Sequence, residues 1–275
     1  MSADPAISLN LATTRAQWGF AEAVEGCLRH GITAISPWRD QIAAIGLPEA
    51  ARIVRDNKLQ VTGICRGGMF PADTAQGRQK AIDDNLRAID EAAALNADCL
   101  VLVVGGLPGS SRDLPRARAM VAEGIATMLP HAVASGVRLA IEPLHPMYAA
   151  DRACINTIDQ ALDLCETLDE TVGVAIDVYH VWWDPNLASA IARAGRLNRI
   201  FAHHICDWLV PTRDMLNDRG MMGGGVIDLP AIRAMIEHAG YRGPQEVEIF
   251  SAENWWKRPG DEVLQIIKER VARVC

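Results

Sequence analysis

The chain has 275 residues, 49% of them apolar, and a formal charge of −7 at pH 7. That is enough apolar material for a sizeable core, and one α/β barrel fits the length. An acidic balance with no basic block counts against a surface built for nucleic acid. The longest apolar run, Cys99–Val104, is far too short to cross a bilayer. Residues 1–10 lack a cationic start followed by a long apolar core, so no secretory signal is read there and a cytoplasmic setting is expected. The cysteines, Cys27, Cys65, Cys99, Cys154, Cys165, Cys206 and Cys275, form no CxxC pair. Their odd number suits reduced thiols packed as small apolar residues.

In chain order, strand-like and helix-like segments alternate. Ile7–Leu11 reads as a first strand, and Trp18–Leu28 as a helix broken by Gly31. Ile32–Ser36 is a second strand, followed by a helix near Pro48–Asn57. Leu59–Cys65 is the third strand, with a long helical pattern from Thr74 to Leu95. Cys99–Val104 is the most apolar segment, as expected of a strand buried on both faces. Asp113 is placed to cap a helix that contains Pro115 and runs towards Ser135, where Gly136 stops it. Four further strand segments follow: Val137–Glu142, Val172–Asp177, Ile200–His204 and Gln245–Glu248. Between them, Thr157 caps one helix, Pro185 opens another, and Asp228 caps a third that starts with Pro230 and ends at Gly240. Asp261–Arg273 is the last helix. About eight alternating units predict a single (β/α)8 TIM barrel over residues 1–275, of class α/β. The alternative, a doubly wound open sheet, lacks a GxGxxG motif after its first strand.

Each of the last four strands ends in a potential metal ligand: Glu142, Asp177, a histidine, and Glu248. In a barrel the carboxyl ends of the strands converge on one face, so ligands far apart in sequence can share one ion. Two glutamates, an aspartate and a histidine suit a hard divalent cation. The period-two rule assigns inward positions. Ala140 stands two residues before Glu142 and Ala175 two before Asp177; Ala202, two before His204, favours that histidine, with His203 the second choice. Glu246 shares a face with Glu248 but lies deeper, as a buried, paired carboxylate would.

The segments AIEPLHP, AIDVYHVWWDP, HHICDW, RGMMGGGVIDL and GYRGPQEVEIFS resemble the xylose isomerase-like TIM-barrel superfamily, the sugar phosphate isomerase/epimerase family. The resemblance covers nearly the whole chain and is strongest from Leu139 onward. It implies one divalent metal ion (Mn, Co, Mg or Zn) held by Glu142, Asp177, His204 and Glu248, with Glu142 and Glu248 also acting as catalytic bases. It further implies His180 and Arg219 as substrate-binding groups, Arg213 being the alternative arginine. The implied reaction is isomerisation or epimerisation of a sugar or keto-polyol by proton transfer next to a carbonyl, through a metal-bound enediolate. A lyase or dehydratase acting on an inosose-like keto-polyol is the alternative on the same site. One departure stands out: the epimerase branch carries another glutamate where this chain has Tyr148 and Ala149, and His145 is the partial replacement. The ends of strands three and four carry Arg66 and Gly105 in place of histidines, so the three-metal cluster of an endonuclease IV-like DNA repair enzyme is not expected.

Six of the seven tryptophans follow predicted strands: Trp38, Trp182, Trp183, Trp208, Trp255 and Trp256. Flat rings with one N–H suit the face of a carbohydrate, and loop packing is the competing use. Trp38, Trp183, Trp208 and Arg66 are therefore expected at a small-molecule site, and the Gly105–Gly109 turn is a further candidate contact, for substrate or phosphate. Neither a nucleic acid nor a membrane is an expected partner. An even-numbered homo-oligomer suits such barrels, though no segment specifies an interface.

Overall fold

The computed structural model describes residues 6–109 and 111–275. Residues 1–5, where the segment read for a secretory signal begins, lie outside the described residues. In chain order the strands are β1 (Ile7–Asn10), β2 (Ala34–Ser36), β3 (Gln60–Val61), β4 (Ile64–Gly68), β5 (Leu100–Val103), β6 (Leu139–Ile141), β7 (Val172–Asp177), β8 (Ile200–Ile205), β9 (Asp207–Trp208), β10 (Arg219–Gly220) and β11 (Gln245–Val247). All but β9 and β10 form one parallel sheet in the order β3-β2-β1-β11-β8-β7-β6-β5-β4. The third barrel strand, expected as one run over Leu59–Cys65, is split. β3 pairs with β2, whereas β4 pairs with β5 and continues to Gly68. A bridge between Trp38 and Cys65 ties the two edges of the sheet. The expected TIM barrel is present.

Helices enclose the sheet: α1 (Phe20–Arg29), α2 (Arg39–Ile45), α3 (Leu47–Asp56), α4 (Ala75–Ala94), α5 (Leu114–Ser135), α6 (Ile158–Thr167), α7 (Val178–Val181), α8 (Leu187–Arg196), α9 (Leu229–His238) and α10 (Gly260–Val274). Their ends follow local chemistry. The side chains of Thr74, Asp113, Thr157 and Asp228 accept the N–H of Gly77, Arg116, Gln160 and Ala231, satisfying first-turn donors. Gly136 ends α5 in the left-handed conformation, φ +69°. Two short helices were not anticipated from sequence. α2 precedes the expected segment near Pro48–Asn57, and α7 starts where the Asp177 carboxylate accepts the Tyr179 N–H. α8 begins two residues after Pro185, at Leu187.

The strands divide the core by alternation. Leu9, Ile35, Leu100, Leu102, Ile141, Ile176 and Val247 face the helices within one large cluster. Cys65, Cys99, Val101, Ala140, Ala175, Phe201 and Ala202 fill the barrel interior. The two-residue rule therefore holds for Ala140, Ala175 and Ala202, but Phe201 is also interior. A bulge explains this: Val174 pairs with Ile200, whereas Ala175 pairs with Ala202, leaving Phe201 as the extra residue. Its ring closes the end of the barrel away from the ligands, with the Arg138 guanidinium 4.7 Å from its centroid. A side chain at Gly173 would strike that ring, since a Cβ there would lie 2.6 Å from it.

Candidate metal centre and active site

Parallel register sets Asp177 beside His204, and His204 beside Glu246. Glu142 and Glu248 stand one residue beyond their strands, yet their N–H groups still donate to Leu102 and Ile205 carbonyls. Backbone pairing thus sets the height of each carboxylate. Glu142, Asp177, His204 and Glu248 are all buried, and each presents one ligand atom within 4.8 Å of the others. Three carboxylates and an imidazole so close together fit a divalent cation, because without one their negative charges are compensated only in part.

The orientation of the His204 ring strengthens that fit. Its Nδ1 faces Glu142 Oε1 at 3.1 Å and Glu248 Oε2 at 3.8 Å, while its Nε2 lies 3.4 Å from Glu246 Oε1. A carboxylate on the Nε2 side, with Nδ1 turned to the other carboxylates, is the arrangement that supports a metal-binding histidine. Glu246 is in turn held by Asn10 Nδ2 at 2.8 Å and the Thr62 hydroxyl at 2.8 Å, and Thr62 meets Ser8 at 2.7 Å. Asn10 also donates to Glu248 at 3.1 Å and accepts the Trp38 indole N–H at 2.8 Å. His203 is outside this cluster. It points away from the barrel axis, edge-on to Tyr241, with its Nε2 unpartnered among the described residues. Burial, with the nearby His204, pushes its pKa down to about 3.

Arg219 enters from β10 and supplies the positive charge among these carboxylates. Its Nη1 donates to Asp177 Oδ2 at 2.8 Å and Glu248 Oε2 at 2.9 Å, and its Nη2 lies 3.2 Å from His180 Nε2. The guanidinium is sandwiched between the Tyr179 and Phe250 rings, 4.5 and 5.1 Å from their centroids. Burial alone would raise the Asp177 pKa, but Arg219 and His180 outweigh it and hold it at about 2. Glu248 goes the other way: burial, opposed by Arg219 and reinforced by Glu142, pushes it up to about 8. Burial pushes His180 down to about 3, so its ring is neutral, and its Nδ1 accepts the His145 backbone N–H at 3.3 Å. Arg213, the other arginine considered for this role, pairs instead with Asp218 at the surface.

Two members of the cluster, Glu142 and Glu248, open onto a small cavity. Trp38, Arg66, Glu142, His180, Arg219 and Glu248 line it, as anticipated. His145, Trp183 and Trp208 do not. They pack together beside the cavity, with the His145 ring 5.2 Å from Trp208 and 5.5 Å from Trp183. Of the six tryptophans on this face, only Trp38 reaches the lining; Trp182 and Trp208 pack on each other, and Trp256 anchors the Ala12 carbonyl. The Gly105–Gly109 turn is a docking surface for backbone. A Cβ at Gly106 would lie 2.4 Å from the Ala150 carbonyl oxygen, and Gly105 exchanges hydrogen bonds with Arg152 and Cys154. Sequence reasoning missed Arg152, Leu216 and Phe250 in the lining. Phe250 was readable as the next inward position after Glu248, whereas Arg152 and Leu216 sit on loops without a periodic signal. Leu216 is brought over the cavity because the Tyr148 and Tyr179 hydroxyls both donate to the Met215 carbonyl, at 2.5 and 2.9 Å.

The profile of the xylose isomerase-like TIM barrel family matches residues 16–269. The crystal structure of protein SMc04130 from Sinorhizobium meliloti 1021 superimposes with a TM-score of 0.97 at 71% identity, covering 98% of both chains. That of the IOLI protein with a bound zinc atom superimposes with a TM-score of 0.85 at 21% identity, over 98% of this chain and 97% of the other. An inosose isomerase of Bacillus subtilis (strain 168) is 29% identical over 148 residues, 50% of this chain and 49% of that protein. The chain thus spans about half the length of the curated relatives it matches. Among the described residues, no helix is long and apolar enough to cross a membrane.

Proposed function

Because the chain belongs to the xylose isomerase-like TIM barrel family, we propose that it is a divalent-metal-dependent isomerase or epimerase of a small sugar or keto-polyol. The observation that carries this reading is the buried quartet of Glu142, Asp177, His204 and Glu248, of which Glu142 and Glu248 line the cavity. The zinc of the IOLI protein and the name of the inosose isomerase relative support a metal and a keto-polyol.

Glu142, Asp177, His204 and Glu248 would hold a divalent cation, which when bound would supply Lewis-acid polarisation of a substrate carbonyl. Glu142 and Glu248 both face the cavity, so either carboxylate is placed to take the proton from the carbon beside that carbonyl. Return of the proton to the opposite face of the same carbon gives epimerisation; return to the neighbouring carbon gives isomerisation. Arg219 and neutral His180 offset the negative charge that develops on substrate oxygens. Leu216 and the aromatic wall limit access of water.

The test is elemental analysis of wild type and Glu248→Gln, with both proteins incubated with ketoses and keto-inositols in deuterated water. About one metal per chain and deuterium incorporated beside a carbonyl by wild type are expected. Incorporation by Glu248→Gln should fall about 10²–10⁴-fold. Loss of water from a keto-inositol would place a lyase on the same site. A wild type that neither binds metal nor exchanges deuterium sinks the proposal.

A further inference from the structure

Arg66 and Arg152 both line the cavity, and neither has the close carboxylate partners that hold several other arginines. Arg39 is held by Asp84 and Glu91, Arg193 by Asp159, Asp163 and Glu166, and Arg219 by Asp177 and Glu248. Arg66 forms no hydrogen bond or ion pair from its side chain among the described residues, although it is half-buried and lines the cavity. Arg152 lines the same cavity, and among the described residues its ion-pair partner is Asp151, adjacent in sequence, at 3.9 Å. With 34 acidic residues against 27 basic ones, the chain does not lack carboxylates. Besides Asp151, the carboxylate whose charge reaches Arg66 is Glu142, and it is engaged with His204.

The backbone holds this pair in place. Arg66 is in β4, inside the register shift between Cys65 and Gly67. Arg152 is brought to the cavity by the glycine turn: Gly105 N–H donates to the Arg152 carbonyl, and the absent side chain of Gly106 lets Ala150 and Asp151 approach. The Arg152 guanidinium also lies 5.6 Å from the Tyr148 ring centroid. Two like charges facing one partly buried space repel each other. Burial first, and Arg152 second, depress the Arg66 pKa. An anion between them removes that repulsion, and a guanidinium fork matches the geometry of carboxylate and phosphate oxygens.

We infer that Arg66 and Arg152 form an oxyanion subsite in the same cavity as Glu142 and Glu248, so that the substrate is an acidic or phosphorylated keto compound rather than a neutral one. As a statement about substrate the inference rests on the proposed function; as a statement about anion binding it stands alone. The rest of the lining includes Trp38, Val101, Val103, Leu144 and Phe250, which are apolar and suit a carbon chain.

Two measurements test it. Calorimetric titration of the protein with inorganic phosphate, and separately with malonate, distinguishes a tetrahedral from a planar anion. Wild type should bind at least one of them, and Arg66→Met and Arg152→Met should each weaken that binding at least tenfold. Arg66→Lys, which keeps the charge but not the fork, should fall between. Failure of wild type to bind either anion, or equal binding by the methionine variants, overturns the subsite. Second, deuterium exchange is compared for a neutral ketose, its terminal phosphate ester and the matching keto-uronic acid. Wild type should favour one charged compound at least tenfold in kcat/KM, and that ratio should collapse in Arg66→Met. A preference for the neutral ketose overturns the substrate inference. Anion binding without exchange of any compound leaves the subsite standing and counts against the proton-transfer reading alone.

Discussion

The two halves of the barrel contribute different things to one cavity. β6, β7, β8 and β11 bring together the ionisable quartet: Glu142, Asp177, His204 and Glu248. β1 through β4 bring the groups that hold them, with Ser8, Asn10 and Thr62 all ending on Glu246 or Glu248, directly or through one another. The late strands alone would place like charges within a few ångströms of each other, which is costly in a low dielectric. The early strands make the arrangement affordable by supplying neutral donors whose own polar atoms are satisfied. A site is thus as much a property of the strands that carry no reactive group as of those that do.

The largest test of this division is Arg219→Met. Removing the cation leaves Asp177 and Glu248 buried and unpaired, and the metal-free protein should lose about 3–5 kcal/mol in denaturant unfolding. Added divalent cation should recover part of that loss if the quartet accepts it; no recovery would show that Arg219 serves folding alone. Next in size is Glu246→Gln, which removes the charge behind His204. Titration of the metal-free protein with Zn²⁺ or Co²⁺ should show affinity lower by about 10–100-fold, with little change in fold. Unchanged affinity would mean that Nε2 needs no carboxylate.

Asn10→Ala reaches the site from the opposite half. It strips donors from Glu246 and Glu248 and leaves the Trp38 indole N–H unpaired, a cost of about 1–3 kcal/mol in thermal or denaturant unfolding. If the early strands were passive wall, this change would behave like any surface substitution. The smallest pair of effects concerns the scaffold rather than the site. Thr74→Ala in the early half and Thr157→Ala in the late half each remove one N-cap bond, and each should cost about 1 kcal/mol. Neither should alter deuterium exchange, because the helices are built the same way in both halves.

How much of this was legible depends on whether a residue sits on a periodic element. Glu142, Asp177 and Glu248 were readable because each ends a strand and follows an inward small or polar position by two residues. The preference for His204 over His203 rested on the same alternation, and the fold brings His204 into the cluster and not His203. It did so despite the bulge at Phe201, which lies below Ala202 and so leaves the upper register intact. Trp183, Trp208 and His145 were read from position after a strand. That position places a side chain on the correct face but does not say whether it turns to the cavity or to its neighbours; here they stack on one another. The glycines at 105 and 106 looked like a ligand contact, because a sequence shows that a glycine is needed without showing what approaches it.

Alternation and capping, both local, determined which strand residues face inward and where the helices end, since side-chain alternation and first-turn donors act within a few residues. Tertiary structure alone decided which side chains meet across the barrel. Asn10 and Glu248, 238 residues apart, share a hydrogen bond, and Arg66 and Arg152 face one cavity. Closure of the sheet between β1 and β11 sets the first meeting, and the docking of the 150–153 loop on Gly105 and Gly106 sets the second. No periodicity within either segment encodes these meetings, because each depends on two backbones approaching from distant parts of the chain.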